Sequence, residues 1–380
     1  MKNSFLTILC LFLLSVASCR FIEAETSTTA TTNLAFEKVF QKDGLKEVER
    51  AVFSSDGKYF LVSDNSSCVV LWESPFLEPS RNLPIENYDS DSAMKFISGD
   101  RNIFLASTGG LVQIWDSKLK IKEFEFKFPC NTKHVSITED GRFIAAAGYL
   151  YDRKKKSLVG SEVAHDSYSA VHFGGKSLLV TSGYHDRSIV VRNIYSDDFD
   201  RCLLPYPVNE ANISLNEKYI VATTYQGRGY FWRWPEMEPK VISIPREKEF
   251  HYLAFAPNSK WFVFCGADSM TIFAGESAEQ LAHMEFEPAL RSVAVVSNNL
   301  IVMGDVKGFV HIYDVSARKI IASHKVLENE VEFLRLIPEK ELLWAATSSY
   351  LGGNVDDRGE VALYRVKGLA PFIEPQIAQE

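Results

Sequence analysis

From residue 34 onward the chain alternates short apolar runs with polar, turn-forming clusters. No segment holds the 3.6-residue apolar repeat of an amphipathic helix. The runs recur as a set. Each set opens with a short stretch ending on a bulky apolar residue: Phe53, Phe96, Ile137, Phe173, Leu215, Phe255, Val295 and Leu336. A turn follows, as in "SSDGK", "TEDGR" and "APNSK", and then a strongly apolar stretch such as "YFLVS", "YIVATT" or "WFVFCG". A second polar turn leads to a stretch ending on an aromatic and often a polar residue, as in "VVLWE", "VQIWD", "VHIYD" and "VALYR". Turn signals at this density between alternating runs predict an all-β protein.

Successive end points lie 43, 41, 36, 42, 40, 40 and 41 residues apart. Such a period, built of strands, predicts a β-propeller in which each unit is one four-stranded blade. The motifs inside the units resemble the WD40 repeat family. Trp115-Asp116 is the WD dipeptide, and Trp72-Glu73 and Tyr313-Asp314 are near variants. "AHDSYSAVHF" is similar to that family's blade start, with Ala164 in place of its glycine. The resemblance covers residues 34–367, which are expected to form an eight-bladed ring.

The last unit, "EVEFLRLIPEKELLWAATSS…GEVALYRVK", supplies three strands. "LAFEKVF" (34–40) is expected to add the fourth, so an N-terminal strand closes the ring and removes its open sheet edges. The third unit is irregular: near 143–156 it leaves little room for a turn between its second and third strands. A degraded blade there keeps a seven-bladed ring as the alternative. The tail, 368–380, carries two prolines and makes a poor central strand.

One stretch, "SGYHDRSIVVRN" (182–193), sets a His-Asp pair in a polar turn. The family resemblance implies a buried structural network of His165, Ser182 and Asp186, with Arg192 where the network's tryptophan would stand. Asp186 is then the acceptor for His165, and His185 projects from the turn. A catalytic dyad is the weaker reading, because it needs a third converging group.

The start of the chain has a different character. "MKNSFLTILCLFLLSVASC" has a basic start, an apolar run and then small residues, which predicts a secretory signal peptide over 1–18. The apolar run is short for a membrane span. "VASC" resembles the lipobox of bacterial lipoproteins, which implies cleavage before Cys19 and lipidation of Cys19. Ordinary cleavage near Ser18 or Ala24 is the alternative. Residues 19–33, rich in Ser and Thr, are expected to form a tether. Arg20 rather than Asp follows Cys19, so no inner-membrane retention signal is evident.

Of 380 residues, 46% are hydrophobic, enough for a large core, and the formal charge is −8. An acidic chain is poorly suited to coating nucleic acid. Cys68, Cys130, Cys202 and Cys265 lie too far apart for zinc spacing and are expected to be isolated thiols. "GGNVDDRGE" (352–360) offers oxygen donors but not EF-hand spacing, and "RKKK" (153–156) reads as a solvated turn. Tyr230, Trp232 and Trp234 fall on one strand face, where packing between blades is expected. The chain has no GxSxG, P-loop, GxGxxG or HExxH.

These features predict a non-enzymatic, extracytoplasmic propeller scaffold for protein partners. It is expected to be lipid-anchored in the outer membrane, with no cofactor, metal or nucleic acid. Its binding face is expected where the blades present turns together: Asp64, Tyr184, His185, Gln226, Asp268, Lys307 and Asp356. Two rivals stand beside this reading. One is a lactonase or other metal-assisted hydrolase with its site in the central channel. The other is a secreted eukaryotic propeller, in which Asn65 and Asn212 would head glycosylation sequons.

Overall fold

Antiparallel pairing of adjacent short strands accounts for nearly all regular structure among the described residues. The computed structural model describes residues 34–372 except 46–47, 65–67, 74–78, 85–92, 130–133, 147, 160–164, 166–167, 197, 243–249 and 348–358. The expected signal peptide and tether, and with them Cys19, lie outside the described residues, as do Cys130 and Asp356.

The described residues form eight four-stranded sheets, the blades of a β-propeller. Seven take four consecutive strands each and span 48–84, 93–127, 135–158, 168–203, 208–242, 250–285 and 290–325. The eighth joins Phe333–Ile337, Leu342–Ala346 and Gly359–Lys367 to the N-terminal strand Ala35–Leu45. The N-terminal closure read from the sequence is thus present, and its strand runs to Leu45, beyond the expected end at Phe40. The third unit is a complete blade rather than a degraded one, so the count is eight. Its strands are only three, four, four and two residues long (Val135–Ile137, Phe143–Ala146, Tyr149–Asp152 and Ser157–Leu158).

The first strands of neighbouring blades approach one another and line the axis, while the fourth strands face outward. The hydrophobic core is correspondingly divided into eight clusters, one at each blade junction. Second strands are covered on both sides, so Leu178–Gly183 and Trp261–Gly266 are buried along their whole length. This explains the unbroken apolar runs in the sequence, since a strand sandwiched between two sheets has no solvent side. Outer strands such as Lys122–Lys127 are largely exposed and correspondingly charged. Tyr230 and Trp232 sit in the cluster between blades four and five, with Trp234 packed against it.

Tail residue Leu369 is fully buried in the cluster between blades seven and eight, so packing continues past Lys367. In the "RKKK" turn the three lysines are exposed, but Arg153 lies over Phe124 at 4.9 Å and donates to the Gly141 carbonyl at 2.9 Å. Among the described residues Cys202 and Cys265 are free thiols, and burial pushes the Cys265 thiol up to about 12.

Because strands alternate in direction, the turn joining the first two strands of every blade falls on one face of the ring, the base. Successive base turns are tied to each other. The Asp56 amide donates to Asp100 Oδ2 (2.9 Å), the Ser98 amide to the Glu139 carbonyl (2.9 Å), and the Asn258 amide to Asn298 Oδ1 (2.8 Å). Lys340 Nζ closes the series onto the Asp56 carbonyl at 2.7 Å.

The strongest tie is Glu217. Its Oε1 accepts the amides of Lys176, Ser177 and Leu178 at 2.6, 2.6 and 2.9 Å, and its Oε2 accepts the Ser177 hydroxyl at 2.9 Å. Close approach of the two turns depends on Gly175, where a Cβ would fall 2.1 Å from the Leu215 carbonyl oxygen. Glu217 holds φ at +58°, a left-handed conformation that a non-glycine residue adopts at a cost, here offset by four hydrogen bonds. Burial pushes its carboxyl up, but the donated amides more than offset this and hold it below the ordinary glutamate value.

Replacing Glu217 by Ala should destabilise the propeller by about 1–3 kcal/mol through orphaned amides. Glu217→Gly should cost less, because glycine accepts the positive φ. The lowered folded-state pKa makes the charged carboxylate's contribution complete above the ordinary value of 4.5 and lost as pH falls through the lowered one. Urea unfolding should therefore separate wild type from Glu217→Ala at pH 7 and much less in strong acid. Equal separation at both would show that the carboxylate charge is irrelevant.

Candidate functional site

The opposite face, the mouth, collects the turns between second and third strands together with the connections from one blade to the next. It holds the residues singled out from the sequence.

At the entry to blade four, His165 is enclosed, its side chain fully buried, and Asp186 retains 15% exposure. His165 Nδ1 lies 2.8 Å from Asp186 Oδ2, and Nε2 lies 3.0 Å from Thr181 Oγ1. The Ser188 hydroxyl donates to Asp186 Oδ2 at 2.8 Å and lies 3.1 Å from His165 Nδ1. Arg201 approaches the same carboxylate at 3.6 Å. Burial pushes Asp186 up, but the Ser188 hydrogen bond and the His165 charge outweigh it and hold the carboxyl below its ordinary range. Gly183 makes this approach possible, since a Cβ there would lie 1.9 Å from Asp186 Oδ1 and 2.6 Å from His165 Nδ1.

The pair expected from the resemblance, His165 with Asp186, is thus brought together, but the second-strand hydroxyl that meets His165 is that of Thr181, while Ser182 is buried on the strand's other face. Thr181 and Ser188 were not read from the sequence, although both are hydroxyls flanking the turn. Arg192, 3% exposed, donates to the Val159 carbonyl at 3.0 Å and links blade four to blade three. His165, Asp186, Thr181 and Ser188 satisfy one another within the fold, as buried polar groups require. His185 is exposed and its ring lies against that of Tyr184.

The remaining face residues occupy equivalent turns. Tyr184 and His185 follow Leu178–Gly183, Gln226 follows Tyr219–Thr224, Asp268 follows Trp261–Gly266, and Lys307 follows Leu300–Asp305. Asp64 ends the strand Tyr59–Asp64. They lie on one face, where the blade-four turn meets the blade-five turn through Tyr184 and Tyr225. The Tyr184 ring meets His185 at 4.9 Å and Tyr225 at 4.8 Å, both edge-on.

On the base side, a cavity of about 700 Å³ lies between blades three and four, lined by their base turns (138–140 and 174–177) and by Lys95, Ser136 and His172 from the first strands of blades two, three and four. His172 Nε2 lies 2.7 Å from Glu210 Oε1 on blade five. Both side chains keep a third or more of their exposure, 39% and 33%, so the pair is solvated. Among the described residues no group of three or more His, Cys, Asp or Glu is placed to hold a metal. No described helix is long and apolar enough to cross a membrane.

Ring and blade order define an eight-bladed β-propeller. No family model matches the chain. It is 21% identical over 221 residues to a p21-activated protein kinase-interacting protein 1-like protein of Danio rerio, a match covering 56% of this chain and 60% of that protein's length. Among solved structures, the crystal structure of the computationally designed Ika8 protein superposes with a TM-score of 0.68. The superposition covers 87% of this chain and 99% of that one at 14% identity, a likeness of fold alone.

Proposed function

We propose that the chain is a non-enzymatic scaffold whose mouth face binds protein partners, displayed outside the cytoplasm and held to the outer membrane through a lipid on Cys19. The observation that carries the binding role is the clustering of Tyr184, His185 and Tyr225 at the mouth of adjacent blades. Tyrosine is among the residues that concentrate at protein interfaces. The name of the Danio rerio relative describes interaction with a protein kinase and supports a protein partner as the kind of ligand. The principal His-Asp pair, His165 with Asp186, is spent on the fold, which leaves binding rather than chemistry for this face. Crosslinking in intact cells, followed by capture of the propeller and mass spectrometry, tests the scaffold role. A protein set lost when Tyr184 and Tyr225 are replaced supports it, and a wild-type propeller that crosslinks to no protein overturns it.

The address rests on the sequence of the leader. Each buried acyl methylene contributes about 0.8 kcal/mol, so more than one chain on Cys19 would hold a soluble domain at a bilayer. Cys19→Ala should move the protein from the membrane fraction to the soluble fraction or block its maturation, and radiolabelled fatty acid should mark only the native protein. Native protein that is unlabelled and soluble, with its mature N-terminus beyond Cys19, would leave a simple secreted propeller.

A further inference from the structure

The mouth face is not uniform. Between blades four and five the connection 204–207 runs between two turns and is bonded to both. Arg187 Nη1 donates to the Pro205 carbonyl at 3.3 Å, and the Tyr225 amide donates to the Pro207 carbonyl at 3.2 Å. Three segments distant in sequence therefore present one continuous surface. Its aromatic members are Tyr184, His185, Tyr206 and Tyr225, the last 44% exposed. Its cations are Arg187, exposed at the turn, and Arg228, whose guanidinium lies 4.9 Å from the centre of the Tyr206 ring. Asp186, in the same turn as Arg187, is already engaged by His165 and Ser188. The patch is thus aromatic and positive on a chain whose formal charge is −8.

We infer that this patch docks an acidic segment of a protein partner, one that also carries an aromatic side chain. The inference rests on the scaffold reading and specifies the partner. Arginine forks pair with carboxylates in two parallel hydrogen bonds, and a guanidinium already stacked on a ring is held ready for that geometry. The edge-on Tyr184–Tyr225 pair leaves ring faces on which a partner's aromatic side chain packs.

Fluorescence anisotropy with short labelled peptides tests this. The probes are an Asp/Glu peptide containing two Phe, the same peptide with Lys/Arg in place of Asp/Glu, the acidic peptide with Ser in place of Phe, and a short oligothymidine. The acidic Phe-containing peptide should bind most tightly. Its affinity should fall roughly tenfold or more in Arg187→Glu/Arg228→Glu and again in Tyr184→Ala/Tyr225→Ala. Lys127→Glu, on the exposed outer strand of blade two, should change little, and thermal unfolding of each variant confirms that it folds. Equal binding of the basic peptide, tighter binding of the oligothymidine, no binding of any probe, or indifference to the four substitutions overturns the inference. If the peptides fail while crosslinking in cells still retrieves the same proteins with the charge-reversed variant, the patch is wrong and the scaffold stands. If crosslinking retrieves none, the scaffold falls with it.

Discussion

Deleting residues 35–45 should abolish the cooperative unfolding transition of the propeller or lower it far enough that the chain aggregates at ordinary temperature. The strand Ala35–Leu45 pairs with Gly359–Lys367 from Ala35 opposite Lys367 to Leu45 opposite Gly359, so its loss exposes a nine-residue sheet edge. Unpaired edges of that length recruit other strands. The same strand carries Phe40, buried between the rings of Phe60 and Trp344, each 6.3 Å away. That junction between blades eight and one is rich in large rings: Phe53 stacks on Trp344 at 5.3 Å and Phe60 on Trp72 at 5.7 Å.

Truncating one buried Phe to Ala costs about 3–5 kcal/mol, against a total stability of about 5–15 kcal/mol for a folded protein. Phe40→Ala alone should therefore produce a large drop in the denaturant midpoint with the transition still cooperative. The deletion adds the loss of the whole hydrogen-bond ladder. Calorimetry and light scattering on the two variants check this. A deletion variant that melts like wild type would mean that the ring closes without its N-terminal strand.

The repeat, the blade count and the closing strand were legible because they depend on periodicity, which each blade restates. A strand buried on both faces has to be apolar throughout, and turns have to be polar, so eight copies of the same physical demand produce a readable pattern. Blade three was harder to read. Its strands shrink to as few as two residues, and its sheet is held in part by Arg142, which lies just before the second strand and donates to Asp152 Oδ2 at 3.0 Å. An ion pair of that kind leaves no periodic trace.

The base-face ties were not legible either. Asp100, Glu217 and Ser259 hold φ at +63°, +58° and +60°, where a glycine is expected, and each side chain accepts an amide of the preceding blade. From the sequence alone these are ordinary polar turn residues, and their partners lie some forty positions away, close to one repeat. The His165 network was legible only through the family resemblance, which supplied the roles. The hydroxyls of Thr181 and Ser188 emerged from geometry.

That network supports the second large prediction. Gly183→Ala should cost at least as much as Asp186→Ala, which itself should cost about 1–3 kcal/mol by leaving His165 and Ser188 short of a partner. The added methyl would sit 1.9 Å from Asp186 Oδ1 and 2.6 Å from His165 Nδ1, so the carboxylate has to leave its place. Overpacking of this kind typically costs about 1–3 kcal/mol beyond the lost hydrogen bonds. The two substitutions act on one space, so they should not add. Once Asp186 is replaced by Ala its carboxylate no longer opposes the methyl, and Gly183→Ala should cost far less in that background. His185→Ala, one residue away but exposed, should stay within about 0.5 kcal/mol. The pH dependence follows from the lowered pKa of Asp186: its contribution is present at neutral pH and disappears as acid titrates the carboxyl through the lowered value, narrowing the gap between wild type and Asp186→Ala. Urea midpoints for the three single variants and the double variant, at neutral pH and in acid, decide the matter. Strict additivity of Gly183→Ala and Asp186→Ala would show that the glycine is not making room for this carboxylate, and that the mouth of blade four is held by some other contact.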